Sequence, residues 1–148
     1  MGVRYRRRVV AGLIFAGLSS GTAVTAEVIV TVSGVRGAEG SIACALFADA
    51  DGFLKAGRQA AGRRVAATEG SVVLAFEDVP PGDYAIAAYH DENDDGRLDV
   101  SALGVPTEGL AFSNGQRVGA FGPPSFDAAK IVVGDGGGPA VFMVGMRY

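Results

Sequence analysis

Between His90 and Asp99 the chain sets Asp91, Glu92, Asn93, Asp94, Asp95 and Asp99 around a single glycine, Gly96. Hard oxygen donors at alternate positions are the chemistry of a calcium loop. Asp91, Asn93 and Asp95 match the opening of the D-x-[DN]-x-[DN]-G pattern, and Gly96 supplies its sharp turn. The carbonyl of Arg97 can then point inward, and Asp99 follows at the ninth position of the loop. The twelfth position is Ala102, where a helix-loop-helix calcium site carries a bidentate Glu, and the preceding Tyr84–Tyr89 alternates like a strand. The site is therefore not an EF-hand. A β-borne calcium loop remains, with Glu108 as the candidate to complete the shell around Asp91, Asn93, Asp95, Arg97 and Asp99. The same Asn93-Asp94-Asp95-Gly96 is also what a hairpin connection uses, with Asx side chains bonding their own backbone. That second reading needs no ion.

His90 is the only histidine, and Asp91 beside it could orient its ring as in metal sites or catalytic dyads. A transition-metal site needs several nitrogen or sulfur ligands, so a loop-capping histidine at a strand end is the more economical reading. Ser113 and Ser125 lack the G-x-S-x-G surroundings of a hydrolase nucleophile. Phe112, Phe121 and Phe126, with Tyr89, could form an aromatic platform at the same pole as the acidic loop. Packing volume in a chain without tryptophan also accounts for them. Asp49 and Asp51 read as a turn leading into Phe53 rather than as a second cation site.

The elements that position these residues alternate with period two and are punctuated by glycine and proline, which predicts an all-β chain. Val28, Val30 and Val32 form one face of a first strand, and Ile42, Cys44 and Leu46 one face of a second, paired with the first as a hairpin through Gly34–Gly40. Val72, Leu74 and Phe76 pattern a third strand, ended by Val79-Pro80-Pro81-Gly82. Tyr84, Ile86 and Ala88 pattern a fourth that runs into the acidic loop. Further strands are expected at 127–133 and 140–148, the last with Val141, Met143 and Gly145 on one face and Phe142, Val144 and Met146 on the other. Asp51–Ala56 reads as a single helical turn, and Ala60-Ala61-Gly62 as loop. The sum is one antiparallel β-sandwich of about seven strands, Ig-like or prealbumin-like. The segment from Asp91 to Ser125 breaks the even spacing as a long irregular excursion, expected to present its residues at one pole. Excursions of such length are functional or disordered, and Leu103, Val105, Leu110 and Phe112 equip this one to pack.

The amino-terminal region sets the compartment. Arg4 and Arg6–Arg8 precede an apolar run from Val9, and Val24-Thr25-Ala26 forms a small-residue cleavage site, the pattern of a secretory signal peptide over residues 1–26. The run is too short and too diluted by Gly17, Ser19, Ser20 and Gly21 for a membrane span. The expected mature domain is 27–148, periplasmic or extracellular. Losing the leader leaves 9 of the 13 basic residues against all 16 acidic ones, a formal charge of −7. Such a balance disfavours nucleic acid and favours cations. Cys44 is the only cysteine, which precludes an intrachain disulfide, and its alternation with Ile42 and Leu46 marks it as a buried small hydrophobe.

A set of blocks along the chain carries a resemblance. His90-Asp91-Glu92-Asn93 with Gly96 and Asp99, Leu103-Gly104-Val105-Pro106, Glu108-Gly109, Phe112-Ser113-Asn114 and Gly122-Pro123-Pro124-Ser125-Phe126 form the central part. Leu46-Phe47 with Asp51-Gly52-Phe53, and Val79-Pro80-Pro81-Gly82-Asp83-Tyr84-Ala85, extend it upstream. Together they resemble the bacterial exported domain-of-unknown-function family 2141. The resemblance implies an exported β-sandwich similar to prealbumin-like or carboxypeptidase-regulatory-like domains, and no established activity.

The residues together read as an exported β-sandwich binding or structural module with an acidic calcium-binding loop and no catalysis of its own. An alternative is a periplasmic enzyme or enzyme accessory using His90 and nearby carboxylates, which requires His90 accessible in a cleft. A carbohydrate-binding or surface adhesion module is the other, and it requires aromatic rings exposed on a flat or grooved surface.

Overall fold

The computed structural model describes residues 24–148, so most of the proposed signal peptide, 1–26, lies outside the described residues. Eight strands follow in order: β1 (Ala26–Val35), β2 (Ser41–Phe47), β3 (Ala61–Ala66), β4 (Gly70–Val79), β5 (Gly82–Asp91), β6 (Leu110–Phe112), β7 (Lys130–Val133) and β8 (Ala140–Gly145). A single helical turn, α1 (Phe126–Ala129), precedes β7. One sheet has the order β4-β1-β8, and the other β3-β2-β5-β6, with β7 also paired to β5. The fold is an all-β sandwich. Among the described residues no helix is long and apolar enough to cross a membrane.

Alternation decides which faces meet. In the first sheet Val28 pairs with Phe76, Val30 with Leu74 and Val32 with Val72, so one face carries all six side chains inward. In the second sheet Ile42 pairs with His90, Cys44 with Ala88 and Leu46 with Ile86. These two faces close on each other in one continuous core that also holds Ile131, Val133 and Val144. Val144 and Met146 are buried and Val141 and Met143 exposed, as the alternation of the last strand requires.

The expected hairpin of the first two strands does not form. β1 pairs with β4 and β8, whereas β2 pairs with β3 and β5. Two strands with one apolar face each satisfy the same pattern side by side or face to face, and here they face each other across the core. The sandwich is also not wholly antiparallel, because β8 runs parallel to β1, with Val30 opposite Phe142. β3 begins at Ala61 and Gly62, residues read as loop, and continues to Ala66, where no strand is expected. It is an edge strand whose Gly62, Arg63 and Arg64 are all exposed and whose Ala61 and Val65 are only partly buried against the core, an apolar pattern too sparse to read as a strand. Arg63 nevertheless reaches over the open side of the sandwich, donating to the Ala75 carbonyl at 3.2 Å and lying 6.0 Å from the Phe76 ring centroid.

The segment after Asp51 forms turns rather than a helical turn: Lys55 N–H donates to Gly52 O and Arg58 N–H to Lys55 O. Asp49 is the cap of that turn, accepting the Gly52 N–H at 2.6 Å. The start of the strand expected at 127–133 is instead α1, capped by Ser125, whose hydroxyl accepts the Ala128 N–H. The excursion does not stay at one pole. It leaves the Asp91 end of β5, returns as β6 beside Tyr89–Ala87, and brings α1 and β7 beside Ala85–Gly82 at the opposite end. Phe126 there packs against Phe53, away from the acidic loop.

Candidate functional site

The acidic loop sits where β5 ends, and pleating sends its first two residues in opposite directions. His90 faces inward on the row of Ile42, and Asp91 faces outward on the row of Ser41. Both are fully buried, at 0% exposure. For Asp91 the cover comes from the loop itself, which folds back over the carboxylate. Oδ1 accepts the Asp95 N–H at 3.1 Å, and Oδ2 accepts the Gly96 N–H at 2.9 Å. Arg64 then closes the group: its Nη1 lies 2.6 Å from Oδ2 and donates also to Ser41 Oγ, while Nη2 donates to Tyr89 Oη at 2.9 Å. Burial pushes the Asp91 carboxyl up, but the Arg64 guanidinium and the two loop N–H groups outweigh it and hold the group below the ordinary carboxylate value.

Glu108 ties the loop from the other side. It is 5% exposed, and its two oxygens accept the N–H of Glu92 at 2.8 Å and of Asp99 at 2.9 Å, clamping both ends of the segment with one side chain. Asn93 donates to Asp99 Oδ2 at 3.0 Å and accepts the Asp95 N–H, and Asp95 accepts the Arg97 N–H at 2.8 Å. Asp94, with φ 56°, accepts from Ser41 Oγ at 2.7 Å. Gly96 has φ +83°, a region in which a Cβ is costly.

The structure thus gathers Asp91, Asn93, Asp95, Arg97, Asp99 and Glu108 into one loop, as the spacing implies. The side-chain oxygens of Asp91, Asn93, Asp95 and Glu108 accept from backbone N–H groups, Asp91 also from Arg64, and Asp99 accepts from the Asn93 amide. A calcium shell needs six to eight oxygens turned on one point. Among the described residues no three His, Cys, Asp or Glu side chains are placed to hold a metal ion. As arranged, the Arg64 guanidinium lies against Asp91, the residue that would open the ion's shell.

His90 is a cap. The Glu39 carbonyl only accepts, so Nε2 donates to it at 2.8 Å. Nδ1 is 2.7 Å from the Tyr148 hydroxyl, which in turn accepts the Arg36 N–H at 3.1 Å. In the neutral ring the Tyr148 O–H is then the donor to Nδ1. Arg36 stacks 4.1 Å from the Tyr148 ring centroid and grips Glu92 with Nε at 2.8 Å and Nη2 at 2.5 Å. That pairing holds the Glu92 carboxyl below its ordinary value. Ser113 is buried, accepting the Ile86 N–H at 2.9 Å and donating to the Ala129 carbonyl. Cys44 is a free, buried thiol that burial pushes up to about 12. Of the aromatic candidates Phe112 and Phe126 are buried and Tyr89 is engaged with Arg64, which leaves Phe121 exposed.

Sequence reading missed Arg64, Ser41, Gly40 and Tyr148. Gly40, at φ +68°, passes so close to Asp91 that a Cβ would overlap its carbonyl oxygen. Only knowledge that β3, β2 and β5 are neighbours brings Arg64 and Ser41 to Asp91. No curated protein and no solved structure matches the chain. The family model described as "Uncharacterized protein conserved in bacteria (DUF2141)" matches residues 30–139. The match spans most of both sheets and the whole of the acidic corner, and the chain belongs to this bacterial family.

Proposed function

We propose that the chain is an exported β-sandwich binding or structural module without catalysis of its own, in which the acidic loop is a rigid corner that holds the excursion in place. One observation carries this reading. The groups with chemical potential, His90, Asp91, Glu108 and Ser113, are all buried and engaged in intramolecular hydrogen bonds. Among the described residues no buried side-chain nitrogen or oxygen lacks a partner. A group poised for catalysis needs a face toward substrate. The export half of the reading rests on the arginine cluster and apolar run ahead of Ala26.

A melting experiment with and without calcium tests the corner. An Arg64-closed loop predicts the same Tm in millimolar calcium and in chelator. A calcium-dependent rise that disappears in Asp91→Ala and Asp95→Ala would replace this reading with the calcium loop, Arg64 having to leave Asp91 to admit the ion. N-terminal sequencing of protein from the periplasm or culture fluid tests export, with Glu27 as the expected first residue.

A further inference from the structure

The excursion, once pinned by Glu108, borders a half-open cleft beside the acidic corner. A cavity of about 730 Å³ opens between the turn at 101–106, strand β6, the hairpin at 117–122 and the segment Arg147-Tyr148. Val105, Leu110, Phe112 and Val118 give it apolar walls. Its size lies within the range of small-molecule sites, about 300 to 1,000 Å³.

Two further observations specify what would fill it. Each flanking turn carries a large apolar side chain in solvent: Leu103 is 91% exposed beside the lining residue Gly104, and Phe121 is 106% exposed between the lining residues Ala120 and Gly122. Ala120-Phe121 is the two-residue tip of a hairpin in which Gly119 and Gly122 exchange backbone hydrogen bonds. Tips of this length ordinarily carry Asn-Gly or Asp-Gly, and each exposed side chain forgoes the stabilisation that burial would give it. The second observation is charge. Arg117 and Arg147 line the cavity, and among the described residues neither is in an ion pair with a side chain. The one lining carboxylate, Glu108, is occupied by the N–H groups of Glu92 and Asp99. The cavity is therefore apolar with a cationic rim, on a chain whose formal charge is −3.

We infer that this cavity binds an amphiphilic anion, an apolar chain ending in a carboxylate or phosphate. The tail lies along Val105, Leu110, Phe112 and Val118 with Leu103 and Phe121 closing over it, and the head pairs with Arg117 and Arg147. The inference rests on the reading of the corner as a rigid support for the excursion, but its test is independent of that reading.

Calorimetry with monomeric dodecanoate, dodecyl phosphate and dodecyltrimethylammonium separates tail from head. The anions are expected to bind one per chain, and the cation at least about tenfold more weakly. The double variant Arg117→Gln/Arg147→Gln should lose about tenfold or more in affinity for the anions. Ala120→Trp, which fills the mouth, should abolish binding. Both variants alter exposed residues, and an unchanged melting curve verifies the fold. Equal affinity for the cation, or wild-type affinity in the double variant, overturns the assignment. Binding to phosphatidylglycerol vesicles with none to the monomeric anions also overturns it, in favour of a membrane-docking surface. Calcium-dependent melting with intact dodecanoate binding would sink the Arg64-closed corner and leave the cavity standing.

Discussion

Arg64 reaches across an intervening strand to Asp91: it stands on β3, its guanidinium bonds Ser41 of β2, and its Nη1 lies 2.6 Å from Asp91 Oδ2 on β5. Three strands of one sheet are laced together on their outer face at the point where the acidic loop begins. A positive charge fixed against a loop of carboxylates does within the chain what a bound cation does in an ion-binding loop.

The sign of the acid dependence follows from that contact. The folded carboxyl of Asp91 is held below its unfolded value, near 3.9. Its contribution is therefore fully present above the unfolded value and is lost as pH falls through the folded one. Asp91→Asn should cost about 2 to 4 kcal/mol near neutral pH, the upper part discounted because Arg64 is partly exposed. Urea melts from pH 7 to 3 should show the gap between wild type and variant narrowing with acid. A constant gap would place the contribution in packing instead.

Glu108→Gln keeps the shape of the clamp and removes one of its two acceptors. We expect a loss of about 1 to 3 kcal/mol and faster amide exchange at Glu92 and Asp99. Exchange in β1 and β2 should stay slow, because the core does not include this side chain. Uniform acceleration across both sheets would contradict a local clamp.

Gly40 and Gly96 both adopt positive φ, and their surroundings separate them. Nothing lies within 4 Å of the position of a Cβ on Gly96, so Gly96→Ala should cost only the conformational term, about 1 kcal/mol. Gly40→Ala meets the backbone of Asp91 and Glu92 as well, and should cost about 2 kcal/mol or more. Chemical denaturation of the pair checks the order, which would invert if Gly96 packed against an unseen neighbour.

Cys44 should be inert to a thiol reagent in the folded protein, since it is buried and its thiol is pushed up to about 12. Labelling should appear only as urea unfolds the chain, with the same midpoint as the loss of β-sheet signal. Labelling under native conditions would show an opening of the core between β2 and β5.

Alternation exposed the inward faces of β1, β2, β4, β5 and β8 in the sequence, because each strand has one dry side. It could not say which dry sides lie next to one another, and so a hairpin was expected where β1 and β2 instead face across the core. β3 was hidden because an edge strand has little to bury. At the site, the Asx spacing and Glu108 were legible as parts of one loop. Arg64 and Tyr148 were not, since their contacts with Asp91 and His90 span 27 and 58 positions, the first following from sheet order and the second from the bridge of Arg147 to Leu110.

The parallel pairing of β1 with β8 has a consequence for the order of assembly. Val30 sits between Leu74 on one side and Phe142 on the other, so the first strand has both its edges paired only when the last is in place. Beyond β8 the chain crosses over, and Arg147 exchanges backbone bonds with Leu110 of the opposite sheet. Contacts so distant in sequence form slowly, because the loop must close before they are rewarded. The same final residues carry Tyr148 to His90. Completion of the first sheet, linkage of the two sheets and capping of the inner histidine therefore all depend on one short stretch at residues 140–148.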